Sequence, residues 1–398
     1  MAEKWDEKLE IRAGYGKRKR CPRRLVLPEK GGYAMKFIDL QGQFAAYETE
    51  IREQMEAVLR SSQFILGPKG IELEKRLAVF VGAERAFGCS SGTDALLLAL
   101  MAYGVGPGDE IITTPFTFIA TAEVISLLGA TPVFADIDPR TYNIDPQEAE
   151  EAITKNTRGI IPVSLYGQCA DIEAILRIAS EYGLFVIEDG CQSFGAQRNG
   201  KRSCGFPHVG TTSFFPSKPL GCYGDGGMVF TSDEGVANRI EGLRNHGQWE
   251  RYRHRAIGIN GRLDEIQAAV LLAKFPHFPA EVERRAASGA YYSDALGDIV
   301  TVPAIAPGNT HVYAQYSVRT PRRDDLAAHL SENGVPTAIH YPVPLHRQEA
   351  FASLGHMEGD FPESSAVSRE ILSLPVSAFL SREDQDEVIW QVLRFFGK

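Results

Sequence analysis

Between residues 86 and 231 short strand-like runs bounded by turns alternate with longer segments of helical spacing. The runs fall at 86–89, 110–114, 132–137, 159–166, 184–188, 211–215 and 228–231; helical segments lie between them at 93–103, 120–128, 147–153 and 171–182. A chain that alternates in this way is confined to an α/β fold: a mostly parallel sheet with helices on both faces. Ligands of such sheets sit at the carboxyl ends of the strands. The residues that follow each run are therefore the first candidates for chemistry.

The flanking regions follow other patterns. Phe44, Ile51, Met55, Val58 and Leu59 fall near helical spacing over 41–60, and 71–81 reads as a second helix. After Asp264 a long helical region covers 264–296. A smaller mixed unit follows, with strands expected at 313–319 and 337–340 and helices at 324–332, 362–372 and 382–396. The organisation expected is an N-terminal extension over 1–34, a large domain over 35–270 and a small α+β domain over 271–398. The extension carries Lys17, Arg18, Lys19 and Arg20 without apolar periodicity. Either Met35 is the true start or residues 1–34 form a disordered basic arm, for which a solvated tail is the simplest reading.

Composition removes several classes. The formal net charge is -9, with 44% hydrophobic and 23% charged residues, an ordinary globular balance without the basic face that nucleic acid needs. No apolar run is long enough to suggest a membrane span. Six scattered cysteines without a CxxC pair point to a reducing, cytoplasmic compartment rather than a disulfide framework. No metal set is expected.

Four motifs stand at strand ends. Lys218 lies among Ser213, Ser217 and the glycines 221, 224, 226 and 227. A lysine held where backbone can approach a ligand is a candidate Schiff-base former, although a glycine-rich surface loop with a solvated lysine explains the stretch equally well alone. Ser91, Gly92 and Thr93 precede an apolar helix, whose N-terminus suits a phosphate; simple capping is the commoner use of such residues. Glu188 and Asp189 end a buried run, and Asp189 is the better partner for a cationic ring nitrogen. Phe118 follows another strand end and can stack on a planar ligand, though such aromatics are more often core. Together these are the needs of pyridoxal 5'-phosphate: a lysine for its aldehyde, an acid for its ring nitrogen and a helix N-terminus for its phosphate. The G-x-G-x-x-G expected of a nicotinamide enzyme is missing after the first strand.

Over residues 35–398 the chain resembles the DegT/DnrJ/EryC1/StrS family of sugar aminotransferases. The resemblance rests on Gly67-Pro68, Ser91 to Thr93, Gly108 to Glu110, Phe116 to Phe118, Asp136 to Asp138, Glu188-Asp189 with Gln192, and Ser213 with Lys218. The stretches 162–171, 213–227 and 340–345 are similar to those members that aminate UDP-2-acetamido-2-deoxy-3-oxo-D-glucuronate in bacterial surface-polysaccharide synthesis. The resemblance implies fold type I of the pyridoxal-phosphate-dependent transferases, L-glutamate as donor and 2-oxoglutarate as product. It implies a homodimer with shared sites. Lys218 is then the catalytic amine. Gly92, Thr93, Phe118, Asp189, Gln192 and Ser213 bind the cofactor, with Asn260 reaching the phosphate from the partner subunit. Ser62, Phe64, Ser217, Arg262, His340 and Tyr341 bind the sugar nucleotide. Ser62 and Phe64 stand where the family pattern has Gly and Tyr, and Gly261 where it often has Ser. Three rival readings are another nucleotide-linked 3- or 4-ketosugar as substrate, a cofactor-binding regulator without turnover, and a sugar dehydratase of the same fold. A histidine replaces the lysine in the last, so Lys218 speaks against it.

Overall fold

The computed structural model describes residues 35–398, so the basic arm expected over 1–34 lies outside the described residues. The chain opens with helices α1 (Leu40–Ser61) and α2 (Pro68–Val81). The alternating region supplies β1 (Arg85–Cys89), α3 (Gly92–Ala102), β2 (Glu110–Thr113), α4 (Ala120–Leu127), β3 (Thr131–Phe134), α5 (Pro146–Glu151), β4 (Thr157–Ile160), α6 (Ile172–Tyr182) and β5 (Phe185–Asp189). A two-residue hairpin, β6 (Gln197–Arg198) and β7 (Lys201–Arg202), leads to β8 (Val209–Ser213) and β9 (Gly227–Thr231). Then come α7 (Glu234–Leu243), the hairpin β10 (Gln248–Glu250) and β11 (Arg253–His254), α8 (Glu265–Lys274) and α9 (Phe278–Leu296). The C-terminal elements are β12 (Tyr316–Arg319), α10 (Arg323–Glu332), α11 (Pro362–Glu370), β13 (Ile371–Leu374) and α12 (Arg382–Phe395).

Seven strands form the central sheet in the order β1-β9-β8-β5-β4-β2-β3. The pairs β2–β3, β2–β4, β4–β5 and β5–β8 are parallel, whereas β9 runs against both β1 and β8. The parallel strands read as apolar runs because helices cover both faces. Ile111, Ile112, Val186, Ile187, Met228 and Val229 are all fully buried. One layer of core lies between the sheet and α3, α4 and α7, with Leu96, Ala99, Leu100, Val124 and Ile240 packed on Ile187, Val209 and Val229. On the opposite side Phe194, Phe214 and Phe230 pack with Leu271 and Phe278 from α8 and α9. A separate apolar cluster joins α9, α10 and α12 to the β12–β13 pair through Tyr292, Tyr316, Leu326, Leu372 and Val388.

Three expectations are corrected. Residues 337–340 are not a strand; only Ala338 makes an isolated bridge, to Ser373. The helix expected over 362–372 ends at Glu370, and Ile371–Leu374 pairs with β12 instead, because four fully buried residues there satisfy a sheet better than a helix end. The run 159–166 stops being strand after Ile160; the chain then turns, with Tyr166 in the left-handed region at φ 58.

Candidate active site

Sheet register assembles the site. The antiparallel strand β9 pairs Gly227 with Cys89 on one side and with Ser213 on the other. The start of β9 therefore sits at the edge where its neighbours end, and α3 begins beside Ser213. Ser91 caps α3 by accepting from the Asp94 amide at 3.0 Å, which leaves the amides of Gly92 and Thr93 without an intrahelical acceptor. A Cβ on Gly92 would fall 2.8 Å from the Ser213 Cβ and 2.9 Å from the Cys191 Sγ. Glycine is required for this close approach, and the result is a small cradle of backbone amides and hydroxyls at a helix N-terminus. Such a cradle fits a phosphate.

Asp189 ends β5 and is 6% exposed. Its Oδ2 accepts from the Thr121 hydroxyl at 2.8 Å and its Oδ1 from the Cys191 amide at 3.1 Å. Both oxygens are oriented, and among the described residues neither has a cationic partner, which suits a carboxylate that pairs with a protonated ring nitrogen. The Thr121 contact escaped the sequence reading, although a buried threonine on the first turn of an apolar helix was the available signal. Glu188, which the sequence left as a possible solvated acid, is fully buried on the opposite face of the strand. It accepts from the Ser164 and Ser203 hydroxyls at 2.6 and 2.8 Å and from the Cys204 amide at 2.6 Å. Burial pushes its carboxyl pKa up against those donors. Its role is to tie loops beneath the sheet edge.

Gln192 bridges two segments: its Oε1 accepts from the Tyr166 amide at 2.8 Å, and its Nε2 donates to the Tyr341 hydroxyl at 3.0 Å. Phe118 is 56% exposed, with its ring 6.2 Å from that of Tyr341, so one face remains open to stack. Burial, with Asp189 nearby, raises the Tyr341 phenol pKa. His340 shares a hydrogen with Ser373 across 2.9 Å, and its backbone carbonyl accepts from the Tyr166 hydroxyl. Burial, together with the Lys218 charge, lowers the His340 pKa to about 4. Lys218 follows the end of β8, and its charge acts on Cys191 as well as on His340. Ser217 precedes it, half-buried.

Ser62, Phe64, Asn260 and Arg262 form a second group. Among the described residues no hydrogen bond joins them to the Lys218 group. The Phe64 carbonyl accepts from the Glu265 amide, Ile65 bridges Asp264, and Asn260 bridges Asn245. Arg262 donates to the Asn245 Oδ1 at 2.8 Å, while its buried Nε has no hydrogen-bond partner among the described residues. Asn260 and Phe64 are exposed, and Ser62 holds the left-handed C-cap of α1 at φ 54. A cleft of about 790 Å³ lined by Leu66, Arg244, Asn245, Trp249 and Leu263 borders this group rather than the Lys218 group.

The described residues thus offer a phosphate cradle, an oriented acid, an open aromatic face and an amine at one sheet edge. Residues 46–393 match the model of the DegT/DnrJ/EryC1/StrS aminotransferase family, and the chain belongs to that family. Among curated proteins it is 52% identical to the UDP-2-acetamido-2-deoxy-3-oxo-D-glucuronate aminotransferase of Pseudomonas aeruginosa, over 87% of this chain and 96% of that one. It is 44% identical to the UDP-N-acetyl-3-dehydro-alpha-D-glucosamine 3-aminotransferase of Acidithiobacillus ferrooxidans, over 91% and 97%. Of solved structures, DesV of S. venezuelae superposes with a TM-score of 0.90 at 38% identity, covering 92% of this chain and 99% of that one. NtdA of Bacillus subtilis, with the cofactor PMP bound, superposes at 0.86 and 28% identity over 93% and 87%. The architecture is fold type I of the pyridoxal-phosphate-dependent transferases.

Proposed function

We propose that this protein is a pyridoxal-phosphate-dependent aminotransferase of a UDP-linked 3-ketosugar. The substrate is UDP-2-acetamido-2-deoxy-3-oxo-D-glucuronate, which becomes its 3-amino product as L-glutamate leaves as 2-oxoglutarate. One observation carries the reading: Lys218, the oriented Asp189 and the Gly92–Ser213 cradle lie at a single sheet edge, in a chain so similar to two UDP-sugar aminotransferases. Bound there, pyridoxal phosphate supplies an aldehyde that takes up amines and a cationic ring that draws electrons from the carbon losing its proton.

The residues divide the remaining work. Gly92, Thr93 and Ser213 hold the phosphate. Asp189, fixed by Thr121 and the Cys191 amide, keeps the ring nitrogen protonated. Phe118 would stack on the cofactor ring, and Gln192 would orient its hydroxyl. Lys218 would hold the cofactor at rest and would then carry the proton at the reacting carbon in both halves of the exchange. His340, kept neutral, adds no second positive charge beside that amine. The free Nε of Arg262 suits a carboxylate or phosphate oxygen, and Ser62, Phe64, Ser217 and Tyr341 complete the sugar-nucleotide site.

The exposure of Asn260 and Phe64 supports a homodimer in which each subunit completes its partner's site. The site lies within the large domain, 35–270, and the small domain, 271–398, contributes His340 and Tyr341. We place the enzyme in the cytoplasm, in surface-polysaccharide synthesis; among the described residues no helix is long and apolar enough to cross a membrane.

The test is the half reaction. Glutamate added to cofactor-loaded protein converts the visible absorbance to that of the amine form, and a ketosugar panel restores it. No spectral change with glutamate would favour a regulator. In Lys218→Ala turnover disappears while circular dichroism is unchanged; retained activity would remove the assigned role.

A further inference from the structure

Lys274 is a buried cation for which the reaction described above has no use. It ends α8, is 1% exposed, and donates through Nζ to the backbone carbonyl of Gly221. Gly221 closes the loop that carries Lys218. That loop is wound tightly: the Cys222 amide donates to the Phe214 carbonyl at 2.8 Å, and the Lys218 amide to the Phe215 carbonyl at 2.8 Å. A Cβ on Gly221 would lie 2.5 Å from the Pro216 carbonyl oxygen and 2.8 Å from that of Phe215. The bond from Lys274 therefore acts on a turn that has no room to adjust. The same helix holds the next residues, since the Tyr223 amide donates to the Gln267 Oε1 at 2.9 Å. The Lys274 ammonium also stands 5.1 Å from the Tyr223 ring centroid.

Burying an ammonium is costly unless something specific compensates. Burial lowers the Lys274 pKa from 10.5 to about 8, although Glu281 pulls it the other way. Arg285 and Cys222 are the other charged or titratable groups that act on it. An apolar residue would fill the position with no such penalty, so the geometry has to be explained by what the amine touches. Behind the loop, Pro216 and Lys218 share a cavity of about 10 Å³ with Gln43, Glu281 and Arg285. Gln43 donates both 3.1 and 2.9 Å contacts to the Glu281 carboxylate.

We propose that Lys274 is a positioning residue: through the Gly221 carbonyl it fixes the turn that aims the Lys218 amine. The inference rests on the transamination reading for its kinetic arm only. In Lys274→Met the single-turnover rate with glutamate falls about tenfold or more while the KM for glutamate stays within about twofold, because a misaimed proton carrier loses rate rather than binding. In the cofactor-free protein, hydrogen exchange of the peptide spanning 213–224 accelerates, with the amides of β5 and α3 unchanged. Should Lys274→Met fail to fold, Lys274→Gln decides; it stays polar but stops short of Gly221, and the same two changes are expected. Wild-type rate together with wild-type exchange at 213–224 in either folded variant overturns the proposal. The exchange measurement needs no reaction, so it tests the positioning role independently of the transamination reading. Absence of any half reaction in the wild-type protein removes the transamination reading instead.

Discussion

At the scale of single residues, the cradle depends on an atom that is missing. The closeness of Gly92 to Ser213 and Cys191 leaves no space for a methyl group. In Gly92→Ala the start of α3 must move away from β8, at a cost of about 1–3 kcal/mol from overpacking. Apoprotein titrated with pyridoxal phosphate is expected to show an affinity at least about tenfold weaker, with an unchanged far-ultraviolet spectrum. Wild-type affinity in that variant would remove Gly92 from the phosphate seat. Asp189 makes a related point. Its two donors leave it buried and oriented, with no cation beside it among the described residues, an arrangement that core packing alone does not produce.

At the scale of elements, α8 fastens two distant pieces of chain. At its C-terminus it holds the lysine loop. At its N-terminus Glu265, 1% exposed, accepts from the amides of Gly67, Lys69 and Gly70 at 3.0, 2.8 and 2.7 Å. A carboxylate at the start of α2 compensates the unbonded amides there. Glu265→Gln sets an amide donor against those donors and should cost about 2–4 kcal/mol, read from denaturant midpoints. The neighbouring Phe64 accepts from the Glu265 amide, so the KM for the sugar nucleotide should rise as well.

This scale also separates what was legible in the sequence from what was not. Apart from the run at 159–166, strands and helices from 85 to 231 follow the expected pattern because buried parallel strands and capped helices leave strong local signals. Pairings between distant segments left none. The β12–β13 pair, the Thr121 bond to Asp189 and the Lys274 bond to Gly221 each join residues far apart in the chain. Their partners are set by packing rather than by any local pattern. Gly92, Asp189 and Lys218 drew notice because small or polar residues near apolar strand ends conflict with simple core formation, whereas Gln192 was marked by the family resemblance alone. The division into two groups of site residues required the fold.

At the scale of the whole molecule, acid and assembly are the two tests. His311 is buried and accepts from the Tyr313 amide at 3.0 Å through Nδ1, so it is held neutral. Burial lowers its pKa from 6.5 to about 3. The unfolded chain therefore takes up a proton below pH 6.5 that the folded chain refuses. Stability should fall as pH drops from 6.5, by about 3 kcal/mol at pH 4 from this group. Denaturant titrations between pH 7 and pH 4 check this, and His311→Asn should flatten the slope. Assembly is tested by mixing Lys218→Ala with Asn260→Ala protein. If each site draws on both subunits, hybrids contain one site with neither substitution and recover activity; no recovery would mean that sites are not shared.

The reversed direction of β9 has a consequence for how the cofactor seat comes into being. Ser91 and Gly92 reach Ser213 only because Gly227 enters the sheet at the edge where Cys89 and Ser213 leave it. A polypeptide severed between Asn199 and Gly200, at the exposed tip of the small hairpin, would give one fragment with the helix amides and the acid, and another with the serine and the amine. Neither piece holds a vitamin-binding seat of its own, so affinity regained on mixing them would report the closing of the sheet itself.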